Sequence, residues 1–261
     1  LGVAFDIPNR DPIAIAGPAL AINEGDSLIF DGSGSSDPDL DPITGQWTFE
    51  GDAFPGLSVV VNSGIGAGES ATLQDDYSGI ATLTVTDLFG ANTQATTSVT
   101  VNNVPPAISV TGPKSTSEGN TETYNATIMD PGVLDTHTVA WDCDGDGLFD
   151  DGVGLTSACL FPDGDTITTI GAEATDSDGG VGTITLAVSV ANVAPTLAIS
   201  GGPTVDEGTE YTLNLSSTDP GDDNIASWEI TWGDGDVDTI PGASTTAKHT
   251  YVEGPGTFTI S

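Results

Sequence analysis

The chain has 261 residues, enough for two or three domains, and its 39 acidic residues face only three basic ones (Arg10, Lys114 and Lys248), a formal charge of −36. So little Lys and Arg excludes nucleic-acid backbones and anionic lipid surfaces as partners, leaving cations, or simple solubility in salt, as the use of the charge. Apolar residues make up 37% of the chain, too many for a disordered acidic tail, yet no apolar run approaches the ~20 residues that span a membrane.

Apolar residues alternate with Thr and Ser in short runs such as ATLTVTD (81–87) and GTITLAVSV (182–190). That is the period of a half-buried strand, and 34 Gly and 16 Pro punctuate the runs. The expected fold class is all-β. Along the chain, LGVAFDI (1–7) precedes a Pro-containing linker, as TSVTVNN (97–103) and LAVSVAN (186–192) do, and reads as a closing strand. Linkers follow at NRDPIAIAGP (9–18), NVPPAISVTGP (103–113) and NVAPTLAISGGP (192–203). INEGDSLIF (22–30), TSEGNTETY (116–124) and VDEGTEYTL (205–213) are one motif, and SSDPDLDP, IMDPGVLD and STDPGDDN trail them at similar distances. Glu24, Glu118 and Glu207 are spaced 94 and 89 residues apart, near the ~100 residues of an immunoglobulin-like sandwich.

The expected organisation is a closing strand and linker at 1–10, repeats at 11–102 and 103–191, and a third at 192–261 that lacks its closing strand. GTFTIS (256–261) begins a strand and stops. The chain is expected to be an excerpt of a longer array, or else to be completed by a donor strand from another copy. Trp47 and Trp141 fall at matched positions of the third strand in their repeats. Ile230 takes that place in repeat three, with Trp228 and Trp232 on the same face, and all are expected in the core.

WDCDGDGLFDD (141–151) packs five aspartates into eleven residues. Asp142, Asp144 and Asp146 hold positions 1, 3 and 5 of an EF-hand-type loop, with Gly147 at the sharp turn, the Leu148 carbonyl at position 7 and Asp150 at position 9. Position 12 is Val153 instead of the usual Glu, and Asp151 is the candidate to replace it. Asp-Gly pairs also make ordinary turns, but turn chemistry alone does not call for five carboxylates. The loop is therefore expected to hold Ca2+, with a weaker candidate at Asp234, Asp236 and Asp238 in GDGDVD. Cys143 and Cys159, sixteen residues apart, are expected to form a disulfide in an oxidising compartment.

EGDSLIFDGSGSSDPDLDPITGQW, WEITWGDGD…KHTYVEGPGTFTI and EATDSDGG resemble the PKD repeat, the sandwich module first noted in polycystin. The resemblance covers nearly the whole chain. WTFEGD (47–52) departs from the family's GDG turn, and repeat two carries an expanded acidic loop. The resemblance implies extracellular spacers, adhesion modules or carbohydrate-accessory modules. In an immunoglobulin-like topology the B–C and F–G turns share one pole and the A–B turn lies at the other. Glu24, Asn102 and Asn103 are then expected to meet Asp130, Asp135, Asp176 and Asp178 of the next repeat. Glu118 and Asn192 are expected to meet Asp219, Asp222 and Asp223. The arrangement is similar to a calcium-stiffened cadherin junction; its plainer reading is that Asp-Pro and Asp-Ser-Asp-Gly are turn formers.

No nucleophile elbow, metalloprotease, P-loop or dinucleotide motif is present, so no enzyme is expected. The expected function is a calcium-stiffened stalk or fibre of a secreted or cell-surface prokaryotic protein. Its partners would be calcium ions and neighbouring repeats or copies of itself. The alternative is an accessory module of a secreted hydrolase that binds a glycan or a protein, betrayed by an exposed aromatic patch.

Overall fold

In the computed structural model, which describes residues 2–3, 5–49 and 69–261, the alternating runs become strands, and no helix occurs among the described residues. The first repeat contains β1 (Leu20–Asn23), β2 (Ser27–Phe30), β3 (Thr44–Phe49), β4 (Glu69–Thr72), β5 (Tyr77–Thr86) and β6 (Asn92–Asn102). One sheet runs β1-β6-β5-β3, the other pairs β2 with β4. β5 and β6 form an antiparallel hairpin, and β1 joins β6 in parallel with Leu20 opposite Val99. Period-two alternation turns Ala81, Leu83 and Val85 of one sheet inward against Leu28 and Phe30 of the other. Phe30 packs on Trp47 with ring centroids 4.8 Å apart.

The second repeat contains β7 (Ala107–Thr111), β8 (Ser115–Ser117), β9 (Thr121–Met129), β10 (Thr138–Asp142), β11 (Gly152–Val153), β12 (Thr156–Leu160), β13 (Thr166–Thr175) and β14 (Val181–Ala191). Its sheets are β11-β10-β13-β14-β8 and β12-β9-β7, and β8 pairs with β14 in parallel, as β1 does with β6. The third contains β15 (Thr196–Gly201), β16 (Glu210–Thr218), β17 (Ser227–Thr231), β18 (Val237–Pro241) and β19 (Thr246–Thr250), in sheets β15-β16-β19 and β17-β18. Leu213, Leu215 and Ala247 from the first of these meet Trp228 and Ile230 from the second.

The chain forms two compact units, one of 1–109, 127–139 and 173–183, the other of 110–126, 140–172 and 184–261. The turns after β9 and β13 thus share a unit with the whole first repeat, and the turn after β16 shares one with the turn between β8 and β9.

Trp47, Trp141, Trp228 and Trp232 are all buried, as expected, and Trp141 donates its indole N–H to the Gly154 carbonyl at 2.8 Å. Cys143 and Cys159 are disulfide-bonded, with Cα atoms 5.2 Å apart. No strand is formed among the described residues of 1–7, where a closing strand of a preceding repeat is expected. Val3, Phe5 and Ile7 are 89%, 80% and 76% exposed and unpaired in any sheet, while Leu1 and Ala4 lie outside the described residues. Alternation makes a strand only where a neighbouring edge accepts its backbone hydrogen bonds. At 256–261 no strand is formed either, although Ser261 exchanges both backbone hydrogen bonds with Thr231 at 2.8 and 3.1 Å. Residues 50–52, where the PKD glycine pattern departs, lie outside the described residues.

Replacing Trp141 by Ala removes one of the two largest fully buried side chains among the described residues and takes away the indole donor to the Gly154 carbonyl. A loss of about 3–5 kcal/mol is expected, read as a lower urea midpoint at unchanged slope.

Candidate metal centres

The Glu-Gly turns are built alike. Gly25, Gly119 and Gly208 have φ of 77°, 74° and 73°, and their N–H groups donate to the carbonyls of Leu73, Phe161 and Tyr251 at 2.7–2.8 Å. A left-handed conformation selects glycine, and so does space. A Cβ at Gly25 would stand 2.7 Å from Pro131 Cβ, and one at Gly119 would stand 2.8 Å from Pro220 Cβ. The first two Glu-Gly turns are therefore pressed against the Asp-Pro turns at Pro131 and Pro220, whereas a Cβ at Gly208 would meet nothing within 4 Å.

Within the first unit this brings Glu24, Asp130 and Asp135 together, with one oxygen of each within 4.8 Å of the others. Glu24 is 2% exposed. Its Oε1 accepts the Val104 N–H at 2.7 Å, while Oε2 is buried with no hydrogen-bond partner among the described residues. Asp135 Oδ2 and Asn103 Oδ1 are likewise buried and unpartnered. Asp130 is held on both sides, by the Gly132 N–H at 2.9 Å and by His137 Nε2 at 2.8 Å. A Cβ at Gly132 would stand 2.6 Å from Glu24 Oε2 and would also collide with Asp135, so glycine leaves the space between the two carboxylates open.

Asp176 is buried but satisfied, accepting from the N–H groups of Asp178 and Gly180 and from the Asn103 amide. Burial pushes its carboxyl up, but these donors hold it below its ordinary value. Asn102 does not join the cluster; its amide turns back to the Ile22 carbonyl at 3.0 Å. Asp178 instead groups with Asp75 and Asp76 from the turn before β5, two residues that sequence reasoning missed. Its carboxyl is pushed up to about 6 by a hydrogen bond shared with Asp135, by burial and by the charges of Asp76, Asp135 and Asp75. Glu24 is raised by burial, against the Val104 N–H, with help from Asp135, Asp130 and Asp176.

The second unit repeats the arrangement. Glu118 is 1% exposed, its Oε1 accepts the Val193 N–H at 2.8 Å, and its Oε2 is buried and unpartnered, as is Asp219 Oδ2. Glu118, Asp219 and Asp223 offer oxygens within 4.8 Å of one another. A Cβ at Gly221 would stand 2.6 Å from Glu118 Oε2, and one at Gly164 would stand 2.5 Å from both that atom and Asn192 Cα. Asp222 is exposed and gives its backbone N–H to the Pro162 carbonyl at 3.1 Å.

The 142–151 loop is different. Asp142 accepts the N–H groups of Gly145 and Gly147 at 2.7 and 3.0 Å, one on each oxygen, and those glycines have φ of 78° and 89°. Asp151 Oδ2 accepts from Cys143 and Asp144, Asp144 Oδ1 accepts from Asp146, and Asp146 Oδ1 accepts from Leu148. Asp144, Asp146, Leu148 and Asp150 are exposed. Its carboxylates first of all shape the turn. In repeat three, Asp234 and Asp236 meet His249, whose Nε2 lies 2.7 Å from Asp234 Oδ2 and whose ring stacks on Trp232 at 4.7 Å. Asp238 accepts the Trp232 indole N–H at 2.8 Å.

No family model matches the chain. No curated protein matches it either. Among solved structures it is similar to the PKD domain of an M14-like peptidase from a Thermoplasmatales archaeon, at 25% identity over 34% of this chain and 99% of that one, with a TM-score of 0.30. It is also similar to extracellular domains 3–5 of Drosophila OTK, at 16% identity, 70% and 62% coverage and a TM-score of 0.35. A third is the Bacteroides ovatus mixed-linkage glucan utilization locus protein SGBP-B in complex with a heptasaccharide, at 16% identity, 97% and 64% coverage and a TM-score of 0.28. The chain thus spans under two thirds of the length of the last two.

In calcium-free protein the raised Asp178 carboxyl sets a pH dependence. Its folded pKa near 6 exceeds the unfolded value, so the folded state takes up a proton that the unfolded state does not as pH falls from about 7 towards 4. The melting temperature in EDTA should rise between pH 7 and pH 5, as calorimetry would read. A flat or falling profile in EDTA would remove Asp178 from the cluster.

Proposed function

We propose that the protein is a structural segment of a secreted or cell-surface prokaryotic protein, whose successive repeats are stiffened where calcium binds between a Glu-Gly turn and the next Asp-Pro turn. The observation that carries this reading is the buried, unpartnered Oε2 of Glu24 and of Glu118, each set among carboxylates in the same way. Three carboxylates with oxygens inside 4.8 Å repel by roughly 3.5 kcal/mol or more per pair at an effective dielectric constant near 20, and a divalent cation turns that repulsion into attraction. The donors are all oxygen, which suits calcium over zinc or copper.

Glu24, Asp130, Asp135 and Asn103 would hold one ion, Glu118, Asp219 and Asp223 another, and Asp75, Asp76 and Asp178 offer a neighbouring position in the first cluster. The 142–151 loop and the Asp234–Asp236 turn are secondary candidates, since most of their inner lone pairs serve backbone N–H groups. The reading assigns no catalytic step. Its partners are calcium and other repeats or copies of the chain, with a glycan or protein as an adhesive target. No helix among the described residues is long and apolar enough to cross a membrane.

The accessory-module alternative looks for an exposed aromatic platform. A cavity of about 700 Å3 in the second unit is lined by Tyr211, Tyr251 and Phe258, with the last two rings stacked at 4.5 Å. Tyr251, however, is only 7% exposed, and its hydroxyl is spent on the Trp232 carbonyl. The ring serves packing more than display.

Calcium titration of the full chain by calorimetry tests the reading. Gly132→Ala should abolish the first-cluster ion by placing a methyl between Glu24 and Asp135, and Gly221→Ala should do the same beside Glu118. At ten times its dissociation constant each ion should stabilise the fold by about 1.4 kcal/mol. Small-angle scattering should show the spread of dimensions widen in EDTA. Unchanged titrations in both alanine variants would sink the assignment.

A further inference from the structure

The Asp-Pro turn of the first repeat, SSDPDLDP, belongs to neither cluster described above. Its geometry nevertheless reproduces theirs. Asp87, after β5, accepts the N–H groups of Phe89 and Ala91 at 2.8 and 2.9 Å and the Asn9 amide at 2.6 Å. Asp176, after β13, accepts from Asp178, Gly180 and Asn103 in the same pattern. Asp37 stands where Asp130 and Asp219 stand. It is 6% exposed, its Oδ1 accepts the N–H groups of Asp39 and Asp41 at 2.7 and 3.3 Å, and that contact locks the carboxylate in place. Its Oδ2 is buried with no hydrogen-bond partner among the described residues. One oxygen from each of Asp37, Asp39 and Asp41 lies within 4.8 Å of the others. Leu40 adopts a φ of 65° between the last two, a conformation that a branched side chain rarely takes.

The difference from the other two clusters lies in what faces the turn. Beside Asp130 and Asp219 it is a buried glutamate; beside Asp39 it is Arg10. The guanidinium donates to Asp39 Oδ1 from Nε at 2.8 Å and from Nη2 at 2.6 Å, and to the Pro38 carbonyl at 2.7 Å, while the Arg10 N–H donates to Asp39 Oδ2 at 2.8 Å. Arg10 reaches Asp39 but supplies no donor to Asp37 Oδ2. One cation of the protein thus neutralises the outer carboxylate and leaves the inner ones uncompensated.

We propose that Asp37, Asp39 and Asp41 form a further binding site for a hard divalent cation of the calcium class, with Arg10 as a resident competitor that weakens it. The donor set is carboxylate oxygen alone, which selects hard, oxygen-seeking ions. The cation would sit against Asp37 Oδ2 and take its share of Asp39 from the guanidinium. The site stands on its own residues and does not depend on the stiffened-stalk reading.

The test is a count of calcium ions bound to the full chain by native mass spectrometry, with affinities from equilibrium dialysis. Asp37→Asn keeps the Oδ1 acceptor that shapes the turn but removes the charge from Oδ2, and Asp41→Asn removes a ligand without touching that acceptor. Each should lower the saturated count by one. Arg10→Gln should leave the count unchanged and tighten the weakest class by about two- to fivefold, the size of an exposed ion pair. Glu24→Gln and Glu118→Gln should remove different ions, so failure of the junction sites reads separately from failure of this one. Equal counts in wild type, Asp37→Asn and Asp41→Asn would overturn the proposal, as would weaker binding in Arg10→Gln. Circular dichroism of the Asn variants matching wild type excludes loss of the fold as the reason for a lost ion.

Discussion

The constraint on which the ends of these repeats depend is the burial of carboxylate oxygens without hydrogen-bond donors. A buried charge left without a partner costs several kcal/mol, and folded proteins answer with a basic residue, a set of N–H donors, a proton or a metal. The basic residues are too few here. Arg10 is used on Asp39 and Lys248 on Glu210, with both basic side chains about 60% exposed at the surface. Donors satisfy some acids and not others: Asp176 and Asp142 receive two or more N–H groups, whereas Glu24 and Glu118 receive one each and keep the second oxygen bare. What remains for those oxygens is a proton or a cation from solution. Burial without a second donor is also what raises the Glu24 carboxyl.

The same constraint explains why glycine is needed beside the acids. Gly132 and Gly221 lie outside the left-handed region, so their value is not conformational. They keep a volume clear beside Glu24 and Glu118 that any Cβ would fill. Gly25 and Gly119 do a second job, allowing the Glu-Gly turn to touch Pro131 and Pro220 closely enough for the glutamate to reach across. Turn, contact and carboxylate therefore form one unit that recurs because the repeat recurs.

Much of this was legible in the sequence. Strand alternation, the buried tryptophans, the disulfide and the meeting of Glu24 with Asp130 and Asp135 follow from period, spacing and sandwich topology. Other features were not. Sandwich topology directs Asn102 and Asn103 together towards the cluster, yet adjacent residues of extended chain point to opposite sides, and of the two Asn103 faces Asp176. Asp75 and Asp76 carry no motif; what brings them to Asp178 is the close approach of the turn before β5, where Gln74 accepts from Leu134 at 3.4 Å. His137 shows no recognisable spacing and acts only as a brace on Asp130.

The acidic loop at 142–151 and the Glu24 cluster hold their carboxylates in different ways. The loop has more carboxylates per residue, but its tight glycine turns expose a row of N–H groups, and the aspartates fold back onto them as ordinary turn formers do. Each such bond stabilises the turn and lowers the negative potential left for an ion. In the Glu24 cluster the carboxylates come from turns distant in sequence, so the N–H groups nearest to Glu24 and Asp135 in the chain are already committed to β-ladder and turn bonds. Glu24 donates to the Asn102 carbonyl, and Asp135 to the Gly132 carbonyl. The oxygens are held by the fold and left without donors by it. Convergence from separate turns thus concentrates uncompensated charge, where a single loop of higher acidic content dissipates it.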